Sequence, residues 1–203
     1  MTTHLLVRHA SAAHLGRWLA GRAPGLHLDD VGRAQATSLA RRLRNVDLAA
    51  VYTGPLERAR ETAVALADAR GLEPVVCTPF DEVDYGLWTG RTFEELEGDP
   101  VWTEWNRARG TARVPCGESM RDVLARALDG MRAIGTAHPD ATVAIVSHCD
   151  VIRPLLAHFR GMHLDHLLRL DVAPASVHRI VCAWGSSSPC ASSVRSVAGD
   201  WSR

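Results

Sequence analysis

Four stretches of this chain are apolar along their whole length rather than on alternate residues: HLLVRH (residues 4–9), LAAVYTG (48–54), EPVVCTP (73–79) and TVAIVSH (142–148). A strand of that kind must be covered on both faces, the condition of a parallel sheet between two layers of helices. The segments between them supply the helices. In residues 31–46, Val31, Gln35, Leu39, Leu43 and Val46 recur near helical spacing, and in 55–69 the stripe is Leu56, Ala59, Ala63 and Leu66. Beyond Ser119, the residues Met120, Val123, Leu124, Ala127, Met131 and Ile134 form an i, i+3, i+4, i+7 face. Ser119 with Asp122 has the form of a capping box that starts this helix, and His138-Pro139 ends it. The stretch SVHRIVCAW (176–184) fits one more strand. This rhythm predicts a three-layer α/β/α sandwich with a mostly parallel central sheet, one domain over residues 1–184. GSSSPCASS (185–193) reads as a loop, opening a Ser-rich C-terminal tail over 185–203.

Two of the buried strands end in polar residues. The first runs into Arg8-His9 and the fourth into His148, with Arg153 just beyond. In open parallel sheets ligands collect at the carboxyl ends of strands. The third contributor is TGPLERARETA (53–63), in which Pro55 suits a first helical turn and Arg58 lies near that helix's N-terminus. Amide N–H groups and the dipole there favour an anion, and a guanidinium grips phosphate with two donors. Two histidines and two arginines around a helix start describe a phosphate pocket.

Composition removes several competitors. The chain has no lysine among its 23 basic side chains, so neither a P-loop nor a Schiff-base enzyme is present. Zero formal net charge argues against a general nucleic-acid or acidic-membrane binder, and no apolar run is long enough to span a bilayer. The five cysteines are widely spaced and form no CxxC pair, which suggests neither a zinc cage nor a disulfide framework and fits a reducing cytoplasm. Cys149 and Cys116 have three and four residues before Arg153 and Arg121. Cysteine-dependent phosphatases carry five, so both thiols read as packing or loop residues.

In order along the chain, LVRHA, SLARRL, TGPLERARETA, DEVDYGLWTG, PCGES and VSHCDVIR resemble the histidine phosphatase superfamily, in its phosphoglycerate mutase-like branch, over residues 4 to about 155. The resemblance implies roles by position. His9 matches the nucleophile that becomes phosphohistidine, and Arg8, Arg58 and His148 match the phosphate clamp. Glu82 matches the general acid that protonates the leaving oxygen and then activates water. Glu118 and Ser119, in the GES turn, are implied to border the substrate. The implied activity is hydrolysis of a small phosphate ester with no cofactor and no metal; a homodimer is allowed. Departures are Ala10 in place of the usual glycine, Ser11-Ala12 for Glu-Thr, Leu15 where an asparagine often helps hold phosphate, and Cys149 for glycine.

Other residues complete the set. His14 is close enough to His9 in sequence to touch substrate, and Arg22, on the loop LAGRAPG (19–25), is placed at the pocket entrance. An insertion over 83–118 is expected to act as a lid, its segment 99–113, with Trp102 and Arg107, contacting the non-phosphate part of the substrate; the alternative is a surface helix packed through Trp102 and Trp105. His163, Asp165 and His166 read as a solvated helix face rather than a metal site. A phosphoglycerate mutase, a protein phosphohistidine phosphatase and an inactive phosphate-binding module remain the alternatives.

Overall fold

The structure, a computed structural model, describes residues 1–184 and 193–196. Its centre is a six-stranded sheet formed by β1 (Thr2–Arg8), β2 (Ala50–Thr53), β3 (Val75–Val76), β4 (Thr142–Ser147), β5 (Val177–Cys182) and β6 (Ser193–Ser196), in the order β3-β2-β4-β1-β5-β6. β1, β2, β3 and β4 are mutually parallel. β5 runs antiparallel to β1, and β6 antiparallel to β5. The sandwich is therefore mostly parallel, as its apolar runs require. Of the expected Ser-rich tail, 193–196 pair with β5, and the rest lies outside the described residues.

The strands' pleat sorts side chains between two cores. Leu5 and Val7 of β1, with Ala144 and Val146 of β4, pack beneath α1 (Asp30–Arg42) and α2 (Glu57–Asp68). Leu6, Val143 and Ile145 point the other way, into the core shared with α5 (Met120–Ala137) and α6 (Cys149–Phe159). Helix α1 starts where the Asp29 carboxylate accepts the Gly32 N–H. Helix α5 starts at the expected capping box, with Ser119 and Asp122 bonding reciprocally. Helix α2 starts later than the sequence suggests. Pro55 lies outside it, Leu56 is the cap residue without a side-chain bond, and Arg58 falls in the first turn.

Between β3 and α5 the chain makes two short 3-10 turns, Thr78–Phe80 and Gly86–Trp88, then α3 (Phe93–Leu96) and α4 (Pro100–Arg107). This stretch packs onto the core shared with α5 and α6: Trp88 lies 5.2 Å from Trp102 and 6.0 Å from Trp105, both edge-on, and Arg109 stacks 4.9 Å over Trp105. Trp105 is fully buried. Trp105→Ala should cost about 3–5 kcal/mol of folding stability, since a large aromatic leaves a cavity its neighbours cannot fill. Urea denaturation checks this. A loss under 1 kcal/mol would mean that α4 is only loosely docked.

Candidate active site

His9 follows the last residue of β1, and its amide donates to Ser147 O of β4 at 2.9 Å, so both strand ends are held together. The next amide, Ala10 N, donates to the Thr62 hydroxyl at 3.1 Å, and that hydroxyl donates to Arg58 O, tying the loop to the first turns of α2. The His9 ring contacts the Ala10 carbonyl through Nδ1 at 2.7 Å. A carbonyl only accepts, so Nδ1 carries the hydrogen and Nε2 keeps its lone pair. Burial, and then the Arg58 charge, hold the His9 pKa well below the ordinary 6.5; the ring is neutral at pH 7. His148, the residue before α6, stands 5.1 Å from His9 between ring centroids, and burial, then His9 and Arg58, hold its pKa well below 6.5.

Around these rings lie guanidinium groups with spare donors. Arg58 is completely buried, with one nitrogen donating to Gly21 O at 2.8 Å and two making no hydrogen bond. Arg8 donates to Val172 O at 2.6 Å and keeps Nε unpaired. Both nitrogens of His148 are likewise unpaired. Buried donors without acceptors are costly unless an anion arrives to take them.

Glu82 completes the cluster, with Oε2 at 3.5 Å from His148 Nδ1. Burial, then repulsion from Asp150, raise its pKa from the ordinary 4.5 to about 7, against the opposing pull of Arg58. The carboxyl is held by its backbone. Arg126 of α5 donates to the carbonyls of Pro79, Asp81 and Glu82, and Arg22 donates to Glu82 O at 2.8 Å. The Ser147 hydroxyl fixes the preceding turn through Phe80 O at 2.8 Å.

A pocket of about 250 Å³ opens beside this cluster, lined by Arg8, His14, Leu15, Trp18, Phe93, Glu82, Tyr85 and Asp150 among others. A larger groove, about 760 Å³, lies between α1 and α2 and holds none of the clustered residues.

Arg8, His9, Arg58, Glu82, His148 and His14 thus come together; His14 stands 6.3 Å from His9. Three expected substrate contacts do not join them. Glu118 is clamped between Arg22 and Arg126 and accepts the Asp84 amide at 2.9 Å, so it braces the Glu82 loop. Ser119 is consumed as the cap of α5. Arg22 also faces Asp81, at 3.4 Å, and does not line the pocket. Each is a polar residue whose hydrogen bonds are already made by the scaffold. Arg107 pairs with Glu104 on the exposed side of α4, away from the pocket. Cys149 lines the pocket, but burial, then Asp150, push its thiol up to about 11, so it is no thiolate. His163 is exposed and pairs with Asp165, and among the described residues no group of three or more His, Cys, Asp or Glu side chains could hold a metal. No helix among them is long and apolar enough to cross a membrane.

Residues 4–188 match the profile of the histidine phosphatase superfamily (branch 1). The chain belongs to this family. As a histidine phosphatase family member it is 36% identical over 193 residues to the bifunctional protein Rv2228c of Mycobacterium tuberculosis, which covers 92% of this chain and 52% of that protein. It spans about half that relative's length. It is 31% identical over 171 residues to phosphoserine phosphatase 1 of Hydrogenobacter thermophilus, covering 81% and 79% of the two chains. Its fold superposes on Bacillus stearothermophilus YhfR with a TM-score of 0.87, at 32% identity, over 100% of this chain and 98% of that one.

The residues that sequence reasoning missed are Thr62, Tyr85, Arg126 and Asp150. Thr62, Tyr85 and Asp150 stood within quoted motifs without a role of their own, and Arg126, outside them all, is brought to the site only by folding.

Proposed function

We propose that this histidine phosphatase family member is a metal-independent phosphomonoester hydrolase that works through a phosphohistidine on His9 and acts on a small phosphorylated metabolite. The observation that carries this reading is the neutral His9 ring, with Nδ1–H held by the Ala10 carbonyl and Nε2 free, among guanidinium donors that lack acceptors. In the first step Nε2 bonds to phosphorus while the ester P–O bond breaks and Glu82 gives its proton to the leaving oxygen. In the second, water attacks phosphorus and passes a proton to Glu82 as the N–P bond breaks. Arg8, Arg58 and His148 donate to the equatorial oxygens, where positioning and charge supply most of the catalysis. The pocket's modest volume suits a small leaving group rather than a protein. The phosphoserine phosphatase relative supports hydrolysis as the reaction class.

Hydrolysis of p-nitrophenyl phosphate and of an alkyl phosphate in excess EDTA tests the proposal. Activity should survive chelation, and on the alkyl ester kcat should fall as pH rises through about 7, where Glu82 loses the proton it must donate. Chelation-sensitive hydrolysis would overturn it. Conversion of 3-phosphoglycerate to the 2-isomer without net release of phosphate would make the enzyme a mutase.

A further inference from the structure

The wall of the pocket facing Glu82 carries a second carboxylate that the proposed chemistry does not use. Asp150 sits in the first turn of α6, two residues after His148, and lines the same pocket as Glu82. Its surroundings are built to hold it charged. The Tyr85 hydroxyl donates to Oδ2 at 2.5 Å, Arg153 donates to Oδ1 at 3.1 Å, and Arg109 approaches Oδ2 at 3.6 Å. These partners come from separate parts of the chain. Arg109 is itself gripped by Asn106 at 2.7 Å and stacked on the buried Trp105, so the 83–118 stretch holds this carboxylate through both Tyr85 and Arg109.

We propose that Asp150 is a positioning residue for the Glu82 proton: its fixed negative charge in the shared pocket wall keeps Glu82 protonated until the leaving oxygen takes that proton. This rests on the phosphatase reading above. The charge balance around each carboxylate gives the sign. Glu82 faces Arg58 from α2, Arg126 from α5, His148 from the end of β4, Cys149 and Asp150 from α6, Tyr85, and its neighbour Asp81; Arg22 reaches its carbonyl. The cations Arg58 and Arg126 pull its proton affinity down, and burial with Asp150 pushes it up, the latter pair prevailing. Asp150 faces Tyr85, Arg109, Arg153 and Cys149. Burial opposes its ionisation, but Arg109 and Arg153 outweigh burial, so it stays a carboxylate while Glu82 does not. Tyr85, pushed well above 10 by burial and by Asp150, remains a donor throughout. Two carboxyls in one pocket with proton affinities driven apart is a general way of assigning an acid.

The test reads the Glu82 proton directly. In ligand-free protein labelled with 13C at glutamate side-chain carboxyls, the Glu82 signal is identified by its loss in Glu82→Gln, and its titration is followed in wild type, Asp150→Asn and Arg153→Gln. The asparagine keeps an oxygen for the Tyr85 hydroxyl. Asp150→Asn should move the Glu82 midpoint to lower pH by roughly one pH unit, and Arg153→Gln should move it upward. The alkaline limb of kcat on an alkyl phosphate should move with it in each case. An Asp150→Asn protein that folds and loses rate uniformly with pH, its Glu82 midpoint unmoved, would overturn the proposal. Should Asp150→Asn fail to fold, an unmoved midpoint in Arg153→Gln overturns it equally. A midpoint that shifts as expected in a protein hydrolysing no phosphate ester supports the coupling and counts against the phosphatase reading alone.

Discussion

His9→Ala is expected to abolish phosphatase turnover, with kcat on any phosphomonoester falling by roughly 10⁴-fold or more, as when the nucleophile of a concerted catalytic set is removed. The loss should be chemical rather than structural. The His9 side chain makes its one hydrogen bond to its neighbour's carbonyl, while the strand end is held by the backbone bond to Ser147. The melting temperature should therefore change little. Arg8, Arg58 and His148 remain, so the variant should still bind inorganic phosphate. The decisive readout is acid-labile, base-stable phosphate on the protein after rapid quenching with labelled substrate. Wild type should carry it, and His9→Ala should not. Labelled phosphate retained by the variant would place the nucleophile elsewhere.

Glu82→Gln should separate the two steps and, at the same time, strengthen the fold. An alkyl oxygen leaves poorly without a proton, so alkyl phosphate hydrolysis should drop by about 10²–10⁴. p-Nitrophenolate leaves without help. On that ester the variant should release a burst of product and then stall, because the second step also lacks its base. Stability moves in the opposite direction. Glu82 is 13% exposed, and its pKa is raised from 4.5 to about 7, so the folded protein holds a proton over that window that the unfolded chain has lost. Wild-type stability contributed by the neutral carboxyl is full below pH 4.5 and is lost as pH rises through 7. A glutamine is neutral at every pH. At pH 8 the variant should be more stable by about 2–3 kcal/mol, raising Tm by several degrees, and the difference should vanish near pH 4. A variant no more stable than wild type at pH 8 would mean that Glu82 is ionised at little cost.

Strands β1 and β4 were readable because every residue in them must face one core or the other; the strand expected over 73–79 was not, for it shrinks to the exposed edge pair Val75–Val76. The Ser119 capping box was readable because cap and carboxylate are three residues apart. Helix α6 was not: Pro154 lies within it, and Val151, Ile152, Leu155 and Leu156 are buried on more than one side, which hides the polar stripe a helix usually shows. The six clustered site residues were found from strand ends, a helix start, sequence proximity to His9 and the family resemblance. Glu118, Ser119 and Arg22 lie outside that cluster, because neither a motif resemblance nor a place on a nearby loop tells whether a polar group is already bonded within the scaffold. Asp150 was overlooked because its meaning lies in Tyr85, Arg109 and Arg153, which only the fold assembles.

The position of β1 has a consequence for how the molecule comes into being. Thr3 pairs with Thr142 on one side and with Val181 on the other, so the strand that leads into His9 precedes both of its sheet partners in the chain by well over a hundred residues. During synthesis that segment must wait, unpaired on both edges, until β4 has emerged. Such nonlocal pairing is slow and leaves sticky strand edges uncovered meanwhile. The pairing of His9 with His148 accordingly arrives late, and no nascent fragment lacking β4 can bring the two rings together.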